Sequence, residues 1–276
     1  MALLMPRICV SGKRSMLLEN RLRPVFALLF AVIVTGPPAP DEGMTMHMRT
    51  IAFMLLLVFA AVGLLAVFQR YAPTEHNPFK PLAITDPVGA ATFHKLAGLE
   101  QDTEKCFSLL DEGGIFYTRL DDTTPRRHCG FYDALTLDQS LAPYSATLRM
   151  TCPLTASLAV WEQHVALPLA EEILGSPIAR VETFGTYNCR RIGGGTAGRL
   201  SEHATANAID ISGFKLADGR LISVKKHWGQ DSPEGKFLHD VREGACRVFA
   251  VTLSPDYNAA HADHFHFDMG AGDICK

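Results

Sequence analysis

The chain has 276 residues, enough for one large domain or two small ones, and a formal net charge of -3. Its hydrophobic share of 47% is inflated by the first seventy residues, which leaves an ordinary globular composition behind them. No basic stretch is interleaved with aromatics, so nucleic-acid binding has no electrostatic support, and no internal repeat or low-complexity tract occurs.

In chain order, the first apolar run is Val25 to Val34, whose ten residues are short for a bilayer span. The second, Ile51 to Phe68, is eighteen residues without a charge and long enough to cross; a buried helix of a soluble protein is the alternative. Arg49 precedes this run, and upstream of the span Lys and Arg outnumber Asp and Glu six to three, which predicts a cytoplasmic N-terminus and export of the remainder. No small-x-small cleavage site follows at Val67-Phe68-Gln69-Arg70, so residues 49–70 read as a retained signal anchor. The expected location is an inner membrane-anchored protein with its folded domain in the periplasm. Met44, Met46 and Met48 stand just before the span, and translation from one of them would make residues 1–43 an upstream extension. Residues 1–48 are accordingly a doubtful leader or cytoplasmic segment.

Seven cysteines occur, and six remain when Cys9 is set aside with the leader: Cys106, Cys129, Cys152, Cys189, Cys246 and Cys275. An even number in an oxidising compartment predicts three disulfides, among fifteen connectivities that spacing does not choose between. There is no C-x-x-C, which argues against a zinc ribbon or a thioredoxin-type site.

Residues 71–100 contain Pro73, Pro78, Pro81 and Pro87 without sustained periodicity and read as a Pro-containing linker; residues 101–276 form the domain. Asp102 predicts a helix cap, with Cys106, Leu109 and Leu110 facing inward and a stop at Gly113-Gly114; Ile115 to Leu120 suggests a strand. Residues 121–150 read as loop and short strands, punctuated by Pro125, Gly130 and Pro143. Thr151 caps the longest helix, Pro153 sits at its first position, and it runs to about Leu174 with Leu154, Leu158, Trp161 and Val165 as its buried stripe. His164 within it reads as an exposed helix residue. Ile178 to Tyr187 is a strand, Gly193-Gly194-Gly195 a loop unsuited to phosphate, and Ala208 to Lys215 pairs with Arg220 to Val224 through a turn at Ala217-Asp218-Gly219. Ser232-Pro233 opens a helix that ends at Gly244, and Val248 to Leu253 and His264 to Met269 complete the strands. The mixed order of helices and hairpins predicts an α+β fold, an antiparallel sheet flanked by helices.

The most informative residues are Ser201-Glu-His203-Ala-Thr-Ala206-Asn-Ala208-Ile-Asp210 and, sixty residues on, His264-Phe-His266. On a strand alternate side chains share a face, so Ala208 and Asp210 point together, as do His264 and His266, with Phe265 and Phe267 on the other side. Two imidazoles and a carboxylate with a further histidine alongside are what a catalytic zinc requires, three protein ligands with a fourth position open. Taken singly, each histidine is more often structural than ligating. Burying the group without a metal, however, costs about 1–3 kcal/mol for each unsatisfied polar atom.

Those motifs, with Gly185-Thr-Tyr187-Asn-Cys189-Arg190, Arg199-Leu-Ser201 and Tyr257-Asn-Ala-Ala-His261-Ala-Asp263-His264-Phe-His266-Phe-Asp268-Met, make residues 103–276 resemble the bacterial extensin-like C-terminal domain family. The same pattern resembles the zinc peptidases that include D-Ala-D-Ala carboxypeptidases and murein endopeptidases, whose fold the hedgehog domain shares. The resemblance implies that fold, Zn2+ held by His203, Asp210 and His266, and peptidoglycan stem peptides as substrate. His264 matches the general base; other branches carry an acid three residues before the last ligand, here Asp263. The two assignments compete, and strand alternation, which would aim Asp263 away from His264, favours His264. Arg190 resembles an arginine that holds substrate carboxylate or the developing oxyanion, with Arg191 beside it as a substitute. Ser201 is expected to orient the loop. His261, His227 and His239 are bystanders, His261 being the one placed to touch substrate. The peptidase pattern usually has glycine at Ala206, where alanine resists a positive φ and predicts a slightly different loop. The implied activity is metal-assisted hydrolysis of a stem-peptide amide. A cell-wall binding or structural module that retains the metal site without turnover, or a hydrolase of another amide, is the alternative.

Overall fold

The computed structural model describes residues 46–123 and 129–276. Residues 1–45 of the leader, with Cys9, the run Val25 to Val34 and Met44, and the loop around Pro125 lie outside the described residues. The chain divides into an N-terminal unit ending at Leu65 and a second unit, Ala66–Lys276. Helix α1 (Met46–Tyr71) is the one helix among the described residues that is long and apolar enough to cross a membrane, and no part of its apolar stretch Thr50–Tyr71 is buried.

Residues 71–100 depart from the expected linker. The wholly buried Asn77 donates from Nδ2 to the carbonyls of Phe68 and Gln69 at 3.3 and 3.0 Å, closing the last turn of α1. Lys95 Nζ donates to Thr74 O at 2.6 Å, and α2 (Thr92–Ala97) buries Leu96. Leu82, Ile84 and Leu99 also join the main core. His164, far from being exposed, bonds Ile84 O through Nε2 at 2.8 Å and holds this segment to the domain. Prolines spaced too closely for periodicity conceal a packed segment whose apolar residues are buried singly.

Local signals place most of the remaining elements. Asp102 accepts from Lys105 N at 3.2 Å and opens α3 (Thr103–Glu112). A three-stranded antiparallel sheet follows: β1 (Phe116–Arg119), β2 (Ala134–Gln139) and β3 (Leu148–Thr151). Thr151 accepts from Leu154 N and starts α4 (Cys152–Trp161), every residue of which is buried. The helical path continues through π turns at Glu162–Ala166 and Ala170–Leu174 and ends at Gly175, whose φ of 66° is the left-handed stop that glycine adopts without strain.

The larger sheet has six strands: β4 (Ile178–Gly185), β5 (Ala208–Leu216), β6 (Leu221–Ser223), β7 (Val251–Leu253), β8 (Phe265–Asp268) and β9 (Ile274–Cys275). Their order is β4-β5-β8-β7-β9, with β6 pairing β5. The short helix α5 (Val224–His227) follows β6, and α6 (Pro233–Ala245) is capped by Ser232, which accepts from Gly235 N at 3.2 Å. The expected single antiparallel sheet is thus two sheets, and β9 joins β7 in parallel. A two-residue edge strand has no alternation from which to be read.

The inner face of the six-stranded sheet packs on α4. Trp161 meets Phe214 and Phe267 at ring distances of 6.2 and 5.5 Å and donates its indole N–H to Val241 O at 3.0 Å. Its buried neighbours Ile209, Ile211, Phe265 and Phe267 come from the alternate positions of β5 and β8, leaving the intervening residues for the other face. Three disulfides staple the domain: Cys106–Cys152 joins α3 to α4, Cys129–Cys189 ties the loop before β2 to the loop after β4, and Cys246–Cys275 ties the end of α6 to β9.

Candidate metal centre

The site is built on strand register. In the antiparallel pair β5–β8, Asp210 lies opposite His266 and Ala208 opposite Asp268, so all four side chains share the face turned away from α4. Ala208 leaves room between the two acids. His203 arrives from a short 3₁₀ turn, Glu202–Thr205, whose cap is Ser201: its Oγ accepts from His203 N at 3.4 Å. The turn ends at Ala206, which takes a φ of 58° and is wholly buried. Alanine therefore adopts the left-handed conformation expected only of glycine there, at a cost of about 1–2 kcal/mol. Its methyl packs with Phe131, Ala134 and Leu120, which offsets part of that strain.

His203 Nε2 stands 3.1 Å from Asp210 Oδ1 and 3.1 Å from His266 Nδ1, and the latter two atoms are 3.0 Å apart. The remaining imidazole nitrogens have fixed partners. His203 Nδ1 lies 2.6 Å from Thr186 O, and His266 Nε2 lies 2.9 Å from Asp268 Oδ2. A carbonyl or carboxylate oxygen only accepts, so when each ring is neutral with its proton on the nitrogen facing Thr186 O or Asp268, the other two nitrogens turn their lone pairs toward Asp210. In that state three acceptors converge with no donor between them. Such a cluster needs a positive charge at its centre, either a proton or a cation.

The electrostatics follow from that crowding. Burial disfavours charge on His266, but Asp210 and Asp268 outweigh it and raise its pKa to about 9. Burial opposes ionisation of Asp210 as well, yet His203 and His266 hold its carboxyl well below the usual carboxylate range. The geometry also suits a metal. The three atoms are separated by nearly the edge of a tetrahedron with 2.0–2.1 Å bonds, roughly 3.3 Å. His203, Asp210 and His266 thus form a donor set that fits zinc. Glu243 also lies near the sulfurs of Cys246 and Cys275, but those are consumed in a disulfide.

His264 sits beside this set, with Nε2 3.6 Å from Asp210 Oδ1. Its Nδ1 lies 2.9 Å from Asp263 Oδ1, and Phe184 meets its ring edge-on at 5.6 Å. Strand alternation, which would turn Asp263 away, does not apply, because β8 begins only at Phe265. Asp263 and His264 are a hydrogen-bonded pair.

A cleft of about 390 Å³ opens at this centre, lined in part by Arg190, Arg199, Tyr257, His261, His264 and His266. Arg190 is exposed to it, whereas the Arg191 guanidinium is bound to Gly198 O. His261 bonds Asn258 Oδ1 at 2.9 Å; burial, with His264 and His266 adding to it, lowers its pKa to about 4 and keeps the ring neutral at pH 7. His227 and His239 serve the scaffold: the first accepts from Ser223 N at 3.0 Å, and the second lies tilted against Trp228 at a ring distance of 3.8 Å. The residues that sequence reasoning passed over are Asp268 and Thr186, which orient the two imidazoles. Asp268 was within reach of the alternation argument, as the next position on the face of His264 and His266. The Thr186 contribution is a backbone carbonyl and has no side-chain signal.

No curated protein and no solved structure matches the chain. The family model described as "Extensin-like protein C-terminus" matches residues 104–276, the span that contains both sheets, all three disulfides and every residue of the centre. The chain belongs to the extensin-like protein C-terminus family.

Proposed function

We propose that the protein is a zinc-dependent hydrolase of amide bonds, related to the D-Ala-D-Ala carboxypeptidase and murein endopeptidase group, acting on peptidoglycan stem peptides from a membrane anchor. The observation that carries this reading is the convergence of three lone-pair donors on one point, with the free nitrogen of a fourth residue, His264, at their side. Zinc held by His203, Asp210 and His266 would supply Lewis acidity and lower the pKa of a water toward about 7. Asp263, by accepting from Nδ1, leaves the Nε2 lone pair of His264 facing the centre, the tautomer a general base needs. His264 takes the proton at Nε2 and returns it to the departing amine, so the ring ends neutral. Arg190, free on the cleft wall, binds a substrate carboxylate or the oxygen on which negative charge develops. The helix α1 holds the domain to the inner membrane, and the disulfides suit the periplasm, where the stem peptides are the abundant amide polymer.

The test is cleavage of purified muropeptides by the full-length chain, with zinc and with chelator. Chelator-sensitive product, with His264→Ala retaining one metal per chain while losing turnover, is the expected result. Binding to sacculi with no product, in the metal-loaded protein, would instead mark a wall-binding module. Stoichiometric zinc in His203→Ala would refute the ligand set.

A further inference from the structure

Residues 270–276 form part of the cleft wall, yet they bury little of their own side-chain surface. Ala271, Gly272 and Ile274 line the cleft next to Val251 and Leu253, with His266 and Asp268 in the same cleft. From Ala271 to Lys276 the segment is exposed. Its attachments are few. Gly270 N donates to Asp268 Oδ1 at 2.9 Å, Ile274 N to Ala250 O at 3.2 Å, and Lys276 N to Thr252 O at 3.0 Å. Gly272 lies against Val251, so closely that a Cβ there would come within 2.3 Å of its Cγ2. The covalent hold is the Cys246–Cys275 disulfide to the end of α6. Asp268 joins the segment to the centre directly, since one oxygen receives Gly270 N and the other receives His266 Nε2.

We propose that this clipped C-terminal segment is a substrate-contacting wall, and that Ile274 selects for an aliphatic side chain in the peptide beside the scissile amide. The inference rests on the hydrolase reading. Ile274 keeps 39% of its surface exposed, at a cleft that also carries the guanidinium groups of Arg190 and Arg199. Apolar surface left open next to convergent polar groups is what a ligand covers. Core packing does not use it, and the disulfide spares it from needing burial to stay in place. The occupant that fits is a peptide segment with an aliphatic side chain for Ile274, Val251 and Leu253 and a carboxylate for the arginines.

The experiment uses the zinc-loaded full-length chain and purified muropeptides, comparing wild type, Ile274→Ala and the Cys246→Ser/Cys275→Ser pair. Ile274→Ala raises KM about tenfold with kcat and zinc content unchanged, the size expected when a pocket loses a few carbon atoms of contact. The disulfide-free pair raises it at least as much. An unchanged KM in Ile274→Ala overturns the proposal, as does a rise accompanied by zinc loss, which would mean a structural role. Calorimetric titration of muropeptides separates the two readings. If wild type binds them without cleaving, the hydrolase reading fails, and the ratio of Kd values for Ile274→Ala and wild type still decides the wall. A wild type that neither binds nor cleaves overturns both.

Discussion

Stability should depend on pH through one buried acid far from the cleft. Glu162 follows Trp161 at the end of α4 with no solvent exposure, and its carboxyl receives the Tyr144 hydroxyl, the Ser140 hydroxyl and Leu141 N, the last at 3.1 Å. Burial raises its pKa from 4.5 to about 7, although these hydrogen bonds oppose the shift. The folded pKa lies above the unfolded one, so between the two the folded state holds more protons. The stabilisation is therefore complete below pH 4.5 and is lost as pH rises through 7. At 1.36 kcal/mol per pH unit the loss amounts to about 3 kcal/mol. For a domain of this size that corresponds to roughly 6–12 °C in Tm. Thermal melts of wild type and Glu162→Gln, disulfides intact, from pH 4 to 8 isolate the effect as a difference between the two curves. Gln keeps the volume and an acceptor for Ser140 and Leu141 but carries no charge, so wild type should lose stability relative to the variant as pH rises. A difference that stays flat over that interval would refute the reasoning.

Two further perturbations probe the centre and the core beneath it. Asp268→Asn takes the charged partner from Nε2 of His266 and should weaken zinc binding about 10–100-fold, measured by competition with a chromophoric chelator; unchanged affinity would remove Asp268 from the site. Trp161→Phe deprives Val241 O of its indole donor inside the core and should cost about 1–3 kcal/mol in denaturant unfolding, with the zinc stoichiometry unaltered.

Much of this protein could be read from its residues in order. Asp102, Thr151 with Pro153, and Ser232 with Pro233 announce helix starts because a cap satisfies backbone N–H groups within three residues of itself. Asp210 and His266 stand out because polar ligand types alternate with Ile and Phe, and a strand converts that alternation into two faces. What only the tertiary structure decided is whatever joins distant stretches. The pairing of Asp210 with His266 across 56 residues depends on the register of β5 against β8. The choice among disulfides depends on which distant segments meet, and no spacing encodes that. The carbonyl of Thr186, the burial of Ile84 and the edge strand β9 have no local signal for a common reason: each is held by contacts outside its own stretch of chain. Local chemistry thus named the groups that could bind an ion, and long-range packing brought their lone pairs within 3.1 Å of one another.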